Sequence, residues 1–210
     1  MDRPAADLFA ENDLIEGPDC PYFCPMQDKG GLRELRKLLV PGGLPELGPG
    51  PRDGVMPFDR LNETLDELLG QAGLPAGSRD LVRGLMLLWH DHLDEAHLIV
   101  QCIENTDGSF IHGILHRREP DYGNAAYWFR RVRDHAAFAK LAARVEELSN
   151  ADGGRALKSK LIADGQWDPL AFITLCEHSA GKPANDPQVN LARKIQGLES
   201  EVLLEYFINS

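Results

Sequence analysis

Apolar residues along most of the chain recur every three or four positions, which is the spacing of one face of an α-helix. This pattern begins near residue 59 and continues to the C-terminus, with polar residues between the apolar ones. No alternating apolar and polar run bounded by hairpin turns is found, so the sequence predicts no strand. The segments predicted to be helical are 59–69, 78–89, 93–104, 110–118, 122–132, 135–148, 170–178 and 188–208.

Capping residues support several of these helix boundaries. Ser78 is a candidate N-cap for the helix that follows it, because its hydroxyl can accept a hydrogen bond from the first turn. Asp168 and Asp186 are each followed by proline, and a capping side chain before a proline in the first turn is a strong helix start signal. We therefore expect two well-capped helices near the C-terminus.

The first 58 residues have a different character, because proline and glycine interrupt them repeatedly. The interruptions are densest from Val40 to Pro51, where proline removes backbone donors and glycine weakens regular structure. A leucine spacing that begins at Leu32 predicts one short helix before this stretch. We predict an all-α fold in which residues 1–58 form an irregular Pro/Gly-rich N-terminal arm and residues 59–210 form a single domain, a bundle of helical hairpins.

Composition narrows the class of protein. The 210-residue chain has a formal net charge of −11, which argues against a general nucleic-acid binder. No apolar run approaches the roughly 18 to 20 residues of a membrane span, and the N-terminus is acidic where a secretory signal would be basic. Four cysteines are too scattered for a disulfide framework: Cys102 and Cys176 fit helical core positions, and Cys20 and Cys24 form only a weak motif. We expect a cytoplasmic protein with reduced thiols and with neither a membrane nor a nucleic acid as partner.

Two stretches of the chain, 88–101 and 115–130, look alike when they are aligned. Each ends one helix, turns at an acidic residue and opens the next helix on an alanine, which is Ala96 in the first and Ala125 in the second. These alanines are 29 residues apart. The spacing is shorter than the usual 34 residues of the helical repeat that the pattern is closest to.

Further residues of the second unit carry the resemblance. Gly113 lies in its first helix, Asp121 stands in the turn, and Phe129 follows Ala125 by four residues. This arrangement resembles the tetratricopeptide repeat, in which a glycine, a tight turn and a small alanine let two helices pack closely. The resemblance implies tetratricopeptide-like paired helices in the central part of the chain, and such helices often present a concave face to peptides.

Three shorter stretches, 89–94, 116–119 and 127–129, are similar to a family of uncharacterised microbial and fungal proteins, and this similarity implies no function. The last stretch is Tyr127, Trp128 and Phe129, and three consecutive positions span about 200° of a helix. At least one ring must therefore be exposed or at a contact. We expect Trp128 or Phe129 in the core and leave Tyr127 as a candidate for ligand stacking.

Histidine density is the most unusual local feature of the sequence. Five of the seven histidines lie within 27 residues: His90, His92, His97, His112 and His116. His112 and His116 stand four positions apart, so on a helix both rings face the same side and both can bind one metal. His97, on a neighbouring helix, is a candidate third ligand, with Asp94 or Glu119 as a further ligand, orienting group or base. The cofactor implied is a divalent metal such as zinc.

Other interpretations of the histidines remain open. They can hydrogen-bond across packed helices, line a polar groove, or act as acids and bases without a metal. The segment from His112 to His116 lacks the glutamate that follows the first histidine in zinc proteases. The sequence also contains no phosphate-binding glycine loop, dinucleotide fingerprint or nucleophile elbow. It therefore leaves open whether the protein is an enzyme.

Arginines and one tyrosine form a second candidate site. Residues 110–144 hold seven basic and three acidic side chains within an otherwise acidic chain, and paired arginines suit the capture of carboxylate or phosphate. The leading hypothesis is a binding or interaction module whose groove binds a peptide or a small anionic ligand. The candidate groove residues are Arg117, Arg118, Tyr127, Arg130 and Arg131.

Two alternatives to the groove hypothesis follow from the same residues. Arg118 and Arg131 can instead form internal ion pairs with Glu119, Asp121 or Asp94, and the basic segment can dock against acidic parts of the same chain. A function of a different class is a small metal-binding protein or metal-dependent enzyme. Its ligands would be His97, His112 and His116.

Overall fold

The computed structural model describes residues 30–151 and 159–210, and it is all-α as predicted. Its helices are α1 (Gly30–Lys37), α2 (Phe58–Gln71), α3 (Ala76–Trp89), α4 (Leu93–Val100), α5 (Thr106–Arg118), α6 (Tyr122–Val132), α7 (Ala136–Ala151), α8 (Pro169–Ser179) and α9 (Pro187–Asn209). Within these ranges, no helix is both long enough and apolar enough to cross a membrane.

Two short strands correct the prediction that the chain has none. Strands β1 (Ile162–Ala163) and β2 (Gln166–Trp167) pair antiparallel between α7 and α8. Asp164 and Gly165 join them with positive φ values of 53° and 76°. Strands of two residues are too short to show an alternating pattern, but an Asp-Gly pair is a known signal for this kind of tight hairpin.

Both aspartate–proline start signals are confirmed. Oδ1 of Asp168 accepts hydrogen bonds from the backbone N–H groups of Leu170 and Ala171 at 2.9 and 3.0 Å. Oδ1 of Asp186 accepts from the N–H of Gln188 at 2.8 Å. These bonds satisfy donors that the first turn of a helix leaves without intrahelical partners, so α8 and α9 begin where the sequence predicts.

Other helix boundaries differ from the prediction. The N-cap assignment of Ser78 is wrong, because α3 begins at Ala76 and the Pro75 carbonyl already accepts the first helical hydrogen bond. Helix α4 ends at Val100 rather than at residue 104. Helix α5 then begins earlier than predicted, since Oδ1 of Asn105 caps it by accepting from the N–H of Gly108 at 2.8 Å.

Two helical hairpins form the centre of the fold, α3 with α4 and α5 with α6. In each, a glycine of the first helix lies against a side chain of the second. A Cβ at Gly84 would come within 2.8 Å of Val100 Cγ1, and a Cβ at Gly113 within 2.7 Å of the Phe129 ring. Both alanines of the sequence pattern are fully buried, Ala96 on α4 and Ala125 on α6. The paired helices are therefore present, and a relationship to tetratricopeptide repeats stays a prediction.

The C-terminal helix α9 holds the bundle together, because it contacts α1, α3, α7 and α8. Its buried apolar residues are Val189, Ala192, Ile195, Val202, Leu203, Leu204 and Phe207. Arg144 of α7 pairs with Glu201 at 2.6 Å, and Lys140 pairs with Glu205 at 2.7 Å. Part of the basic segment thus docks against an acidic face of the same chain.

The described part of the N-terminal arm packs against the helical domain. Arg193 of α9 donates to the carbonyl of Leu44 at 2.8 Å, and Gln196 donates to the carbonyl of Glu46 at 2.7 Å. A Cβ at Gly197 would lie 2.7 Å from Leu44 Cδ2, so the arm approaches α9 closely at this point. Backbone carbonyls without regular partners are satisfied here by side chains of the domain.

His90 anchors the arm at a second place. Its ring is fully buried, with Nε2 2.9 Å from the Leu38 carbonyl and Nδ1 accepting from the N–H of Met56 at 3.1 Å. An acceptor at Nδ1 and a carbonyl at Nε2 require the neutral form with its proton on Nε2. Burial lowers the pKa of His90 to about 4, so the neutral ring persists in weak acid.

The two cysteines of the described residues differ in exposure. Cys176 on α8 is buried as predicted, and burial raises the pKa of its thiol to about 12. Cys102 is exposed, so its prediction as a core residue is wrong. Because α4 ends at Val100, Cys102 stands in the following turn. Cys20 and Cys24 lie outside the described residues.

Candidate metal site

His97 of α4 and His112 and His116 of α5 lie together at the junction of the two helical hairpins. The ligand atoms offered by the three rings all lie within 4.8 Å of one another. Nε2 of His97 is 3.0 Å from Nε2 of His112. The sequence predicted a shared site from the helical spacing of His112 and His116 and from the expectation that His97 lies on a neighbouring helix. In the structure the three side chains are in contact.

The rings are arranged around a shared space. His112 and His116 are stacked, with ring centres 4.9 Å apart and planes 17° from parallel, as expected for residues four apart on one helix. His97 meets both rings edge-on, at 72° to His112 and 84° to His116. Three imidazole rings that could hold a metal thus come from two helices that pack directly against each other.

A carboxylate and an amide each contact one ring nitrogen of His116. Nδ1 of His116 is 2.8 Å from Oε2 of Glu119, and Nε2 is 3.1 Å from the side-chain nitrogen of Asn124 at the start of α6. A proton on Nδ1 donated to Glu119 leaves Nε2 free to accept. The carboxylate therefore orients the ring as second-shell carboxylates do behind metal-binding histidines.

Trp128 of α6 covers His112. The two rings stack with centres 3.9 Å apart and planes 13° from parallel. His112 is only 4% exposed. Burial, followed by the proximity of His116 and then His97, lowers the pKa of His112 to about 4. Its imidazole is thus neutral at physiological pH, and His97, which is half-buried, lies at the accessible side of the cluster.

Arg117 does not line a surface groove. Its guanidinium is fully buried and pairs with both carboxylate oxygens of Glu199 on α9. It also lies over the Phe172 ring at 4.5 Å and near the Phe129 ring at 5.8 Å. Burial disfavours the charge, but the Glu199 carboxylate outweighs it and raises the pKa of Arg117. Arg117 therefore joins α5 to α9 and is not accessible to a ligand.

Arg118 is also internal. It pairs with Asp91 Oδ1 at 2.6 Å and donates to the carbonyls of Gly48 and Leu88. Asp91 in turn accepts from Arg52 of the arm through both the backbone N–H and Nε, at 2.8 and 2.9 Å. Burial raises the pKa of Asp91, but Arg118 and then Arg52 outweigh it and hold that pKa below its usual value. The arm and the two hairpins meet at this ion-pair cluster. Asp91, its acidic member, was not among the predicted partners of Arg118.

The other three predicted groove residues are at the surface. Tyr127 is 51% exposed, and Arg130 and Arg131 are exposed beside it on α6. The guanidinium of Arg131 lies 5.3 Å from the centre of the Trp128 ring and 5.9 Å from that of Tyr127. The aromatic run thus divides as its geometry requires, with Phe129 in the core, Trp128 half-buried on His112 and Tyr127 exposed.

Three histidines outside the cluster, His90, His92 and His135, have structural contacts. In addition to His90, Nε2 of His92 lies 2.8 Å from the Met56 carbonyl, so both histidines tie the arm to the turn between α3 and α4. His135 caps α7 by accepting from the N–H of Ala137 and lies 2.7 Å from Asp107. For His90 and His92 the interpretation as hydrogen-bonding histidines between packed elements is correct.

Sequence reasoning missed Asn124 and the contact between Trp128 and His112. A signal for both was present in the sequence. Asn124 and Trp128 are four positions apart on α6, as are His112 and His116 on α5, so packing of the two helices brings the two pairs face to face.

Comparison of the chain with protein-family models, with curated proteins and with solved structures found no match.

Proposed function

We propose that this chain is a metal-binding protein in which His97, His112 and His116 hold one divalent transition metal, such as zinc. The observation that carries the proposal is the convergence of the three rings, whose ligand atoms lie within 4.8 Å of one another. Imidazole nitrogen suits zinc, copper, nickel and iron, whereas magnesium and calcium prefer oxygen ligands.

Two further features support a metal at this place. Nitrogen ligands of one tetrahedral zinc, each at about 2.0 to 2.1 Å from the ion, are about 3.3 Å apart, and the Nε2 atoms of His97 and His112 are already 3.0 Å apart. Glu119 stands behind His116 in the position of an orienting carboxylate. Metal binding then requires the Asn124 amide to leave Nε2 of His116 and the three ligand atoms, now spread over as much as 4.8 Å, to draw together.

Three histidines without a fourth protein ligand favour a reactive site over a purely structural one. Structural zinc sites take four protein ligands, whereas catalytic sites take three and leave one position for water or substrate. Among residues 30–151 and 159–210, no carboxylate or thiol joins the three histidines as a ligand. A metal held there has a position at which it can act as a Lewis acid.

The interaction-module hypothesis now rests on three of its five candidate groove residues. With Arg117 and Arg118 in buried ion pairs, only Tyr127, Arg130 and Arg131 of the predicted groove remain accessible. They lie on α6, the helix whose Trp128 stacks on His112, so an anionic ligand at these residues would bind next to the helix that covers the proposed metal site.

The test is metal binding by tag-free protein. Elemental analysis after purification and calorimetric titration with zinc or nickel should give one metal per chain, whereas manganese, which prefers oxygen ligands, should bind more weakly. His97→Asn should weaken zinc binding by more than the roughly 10- to 100-fold that loss of a second-shell partner causes. Zinc should also raise the melting temperature, because a ligand that binds only the folded state stabilises it.

His178→Asn is the matched control, because His178 is an exposed histidine on α8, away from the cluster. It should bind zinc as the parent protein does, and circular dichroism should show both variants folded. Equal zinc affinity in His97→Asn, His178→Asn and the parent protein would overturn the proposal.

A further inference from the structure

Arg131 lies at the surface of α6, where its guanidinium contacts two aromatic side chains and, among the described residues, no carboxylate. Its guanidinium is 5.3 Å from the Trp128 ring and 5.9 Å from the Tyr127 ring. In the part of the chain that the structure describes, Arg131 forms no ion pair. Nη1 of Arg131 donates to the Tyr127 hydroxyl at 3.5 Å, and the other N–H donors of this planar group can still bind a ligand.

Most other basic residues of the 110–144 segment are neutralised within the fold. The internal pairs are Arg117–Glu199, Arg118–Asp91, Lys140–Glu205 and Arg144–Glu201. The positive charge left at the surface is therefore concentrated at the C-terminal end of α6, where Arg130, Arg131 and the following Arg133 are exposed. This is also the helix whose Trp128 covers His112.

One indole ring connects the arginine to the histidine cluster. Trp128 contacts the Arg131 guanidinium and also stacks on His112 at 3.9 Å. The Arg131 guanidinium and His112, one of the proposed metal ligands, thus contact the same indole ring. A single carboxylate cannot touch both the guanidinium and the proposed metal, whereas a short molecule with an anionic group at each end can.

We infer that the metal-loaded site binds a small dicarboxylate, and this inference rests on the proposed metal function. One carboxylate takes the coordination position that the three histidines leave open, since carboxylate oxygen is an ordinary zinc ligand. The other pairs with Arg131 through two parallel N–H···O bonds, the geometry that guanidinium and carboxylate share. The exposed Tyr127 ring, next to Trp128, provides an apolar wall for the carbon chain that joins them.

The experiment is calorimetric titration of succinate and glutarate into zinc-loaded protein, with acetate and inorganic phosphate as comparison ligands. The dicarboxylates should bind more tightly than acetate or phosphate, and should bind zinc-free protein weakly or not at all. Arg131→Gln should weaken dicarboxylate binding by about 10-fold or more, the loss expected for hydrogen bonds between charged groups, and should leave zinc affinity unchanged.

Arg79→Gln is the matched control, because it removes the same charge from an exposed arginine on α3. Dicarboxylate affinity that is the same in Arg131→Gln and Arg79→Gln would overturn the inference, as would acetate or phosphate binding as tightly as succinate. Those results leave the metal proposal intact if zinc still binds. Absence of zinc binding by the parent protein overturns the metal proposal itself and the dicarboxylate inference with it.

Discussion

His112 and Trp128 stack face to face, with ring centres 3.9 Å apart and planes 13° from parallel. This contact couples the proposed metal site on α5 to the aromatic surface of α6. It also places an intrinsic fluorophore against a proposed ligand, whereas Trp89 and Trp167 are 3% and 4% exposed and belong to other parts of the fold.

We therefore expect Trp128 to report metal binding. Nickel or divalent copper bound by His112 should quench the fluorescence of the stacked indole. In Trp128→Phe, calorimetry should still give one metal per chain, but the change in fluorescence should be absent. Quenching of equal size in Trp128→Phe and in the parent protein would contradict this prediction.

Glu119 should set the strength of metal binding without being a ligand. Glu119→Gln removes the charge that orients His116 through its Nδ1 atom, and loss of such a partner typically costs about 10- to 100-fold in metal affinity. Zinc titration measures the effect. Glu104→Gln, at an exposed glutamate after α4, is the control and should leave the affinity unchanged.

Replacement of glycine by alanine should change stability in opposite directions at two helical positions, because Gly113 is closely packed and Gly70 is not. In Gly113→Ala the new Cβ would meet the Phe129 ring at 2.7 Å, and overpacking of this kind costs about 1 to 3 kcal/mol of stability. In Gly70→Ala the Cβ meets nothing within 4 Å, so the higher helix propensity of alanine should stabilise α2 by about 0.5 to 1 kcal/mol. Urea denaturation of both variants tests the signs.

The buried cluster at Asp91 should be essential to stability. Asp91→Asn leaves two buried arginines without their shared carboxylate, and breaking a buried ion pair costs about 3 to 5 kcal/mol. Asparagine tolerates the positive φ of 65° at this position, so the loss reports charge and not backbone strain. Asp66→Asn, which breaks a pair with Arg83 at a largely exposed aspartate, should cost less than about 1 kcal/mol. Similar losses in the two variants would argue against this account.

Acid should loosen the N-terminal arm through His90. The pKa of this ring falls from 6.5 to about 4 on folding, so in weak acid the unfolded chain takes up a proton that the folded chain does not. Its contribution to the free energy of unfolding is complete above pH 6.5 and declines as the pH falls toward 4, by up to about 3 kcal/mol.

Denaturation at a series of pH values measures this decline. His90→Gln should show a shallower fall in stability between pH 6.5 and 4 than the parent protein, because one titrating group has been removed. His178→Gln, at the exposed histidine of α8, should keep the parent slope. An unchanged slope in His90→Gln would show that His90 is not the titrating group.

Local signals in the sequence determined much of the helical architecture. The aspartates before Pro169 and Pro187 define the starts of α8 and α9, because a capping carboxylate needs only the next two or three N–H groups. The spacing of His112 and His116 likewise implied two rings on one helix face, since that relationship lies within a single turn.

Contacts between residues far apart in the chain were decided by tertiary structure alone. Arg117 pairs with Glu199, 82 residues away in the sequence, and Arg118 pairs with Asp91, 27 residues away. No local sequence pattern could therefore show that these arginines are buried and paired. The meeting of His97 with His112, and of Trp128 with the same ring, also depends on how α4 and α6 pack against α5. Helix caps and periodicity depend on neighbours in sequence, whereas a site is made where helices pack, and packing is settled by the shape of the whole core.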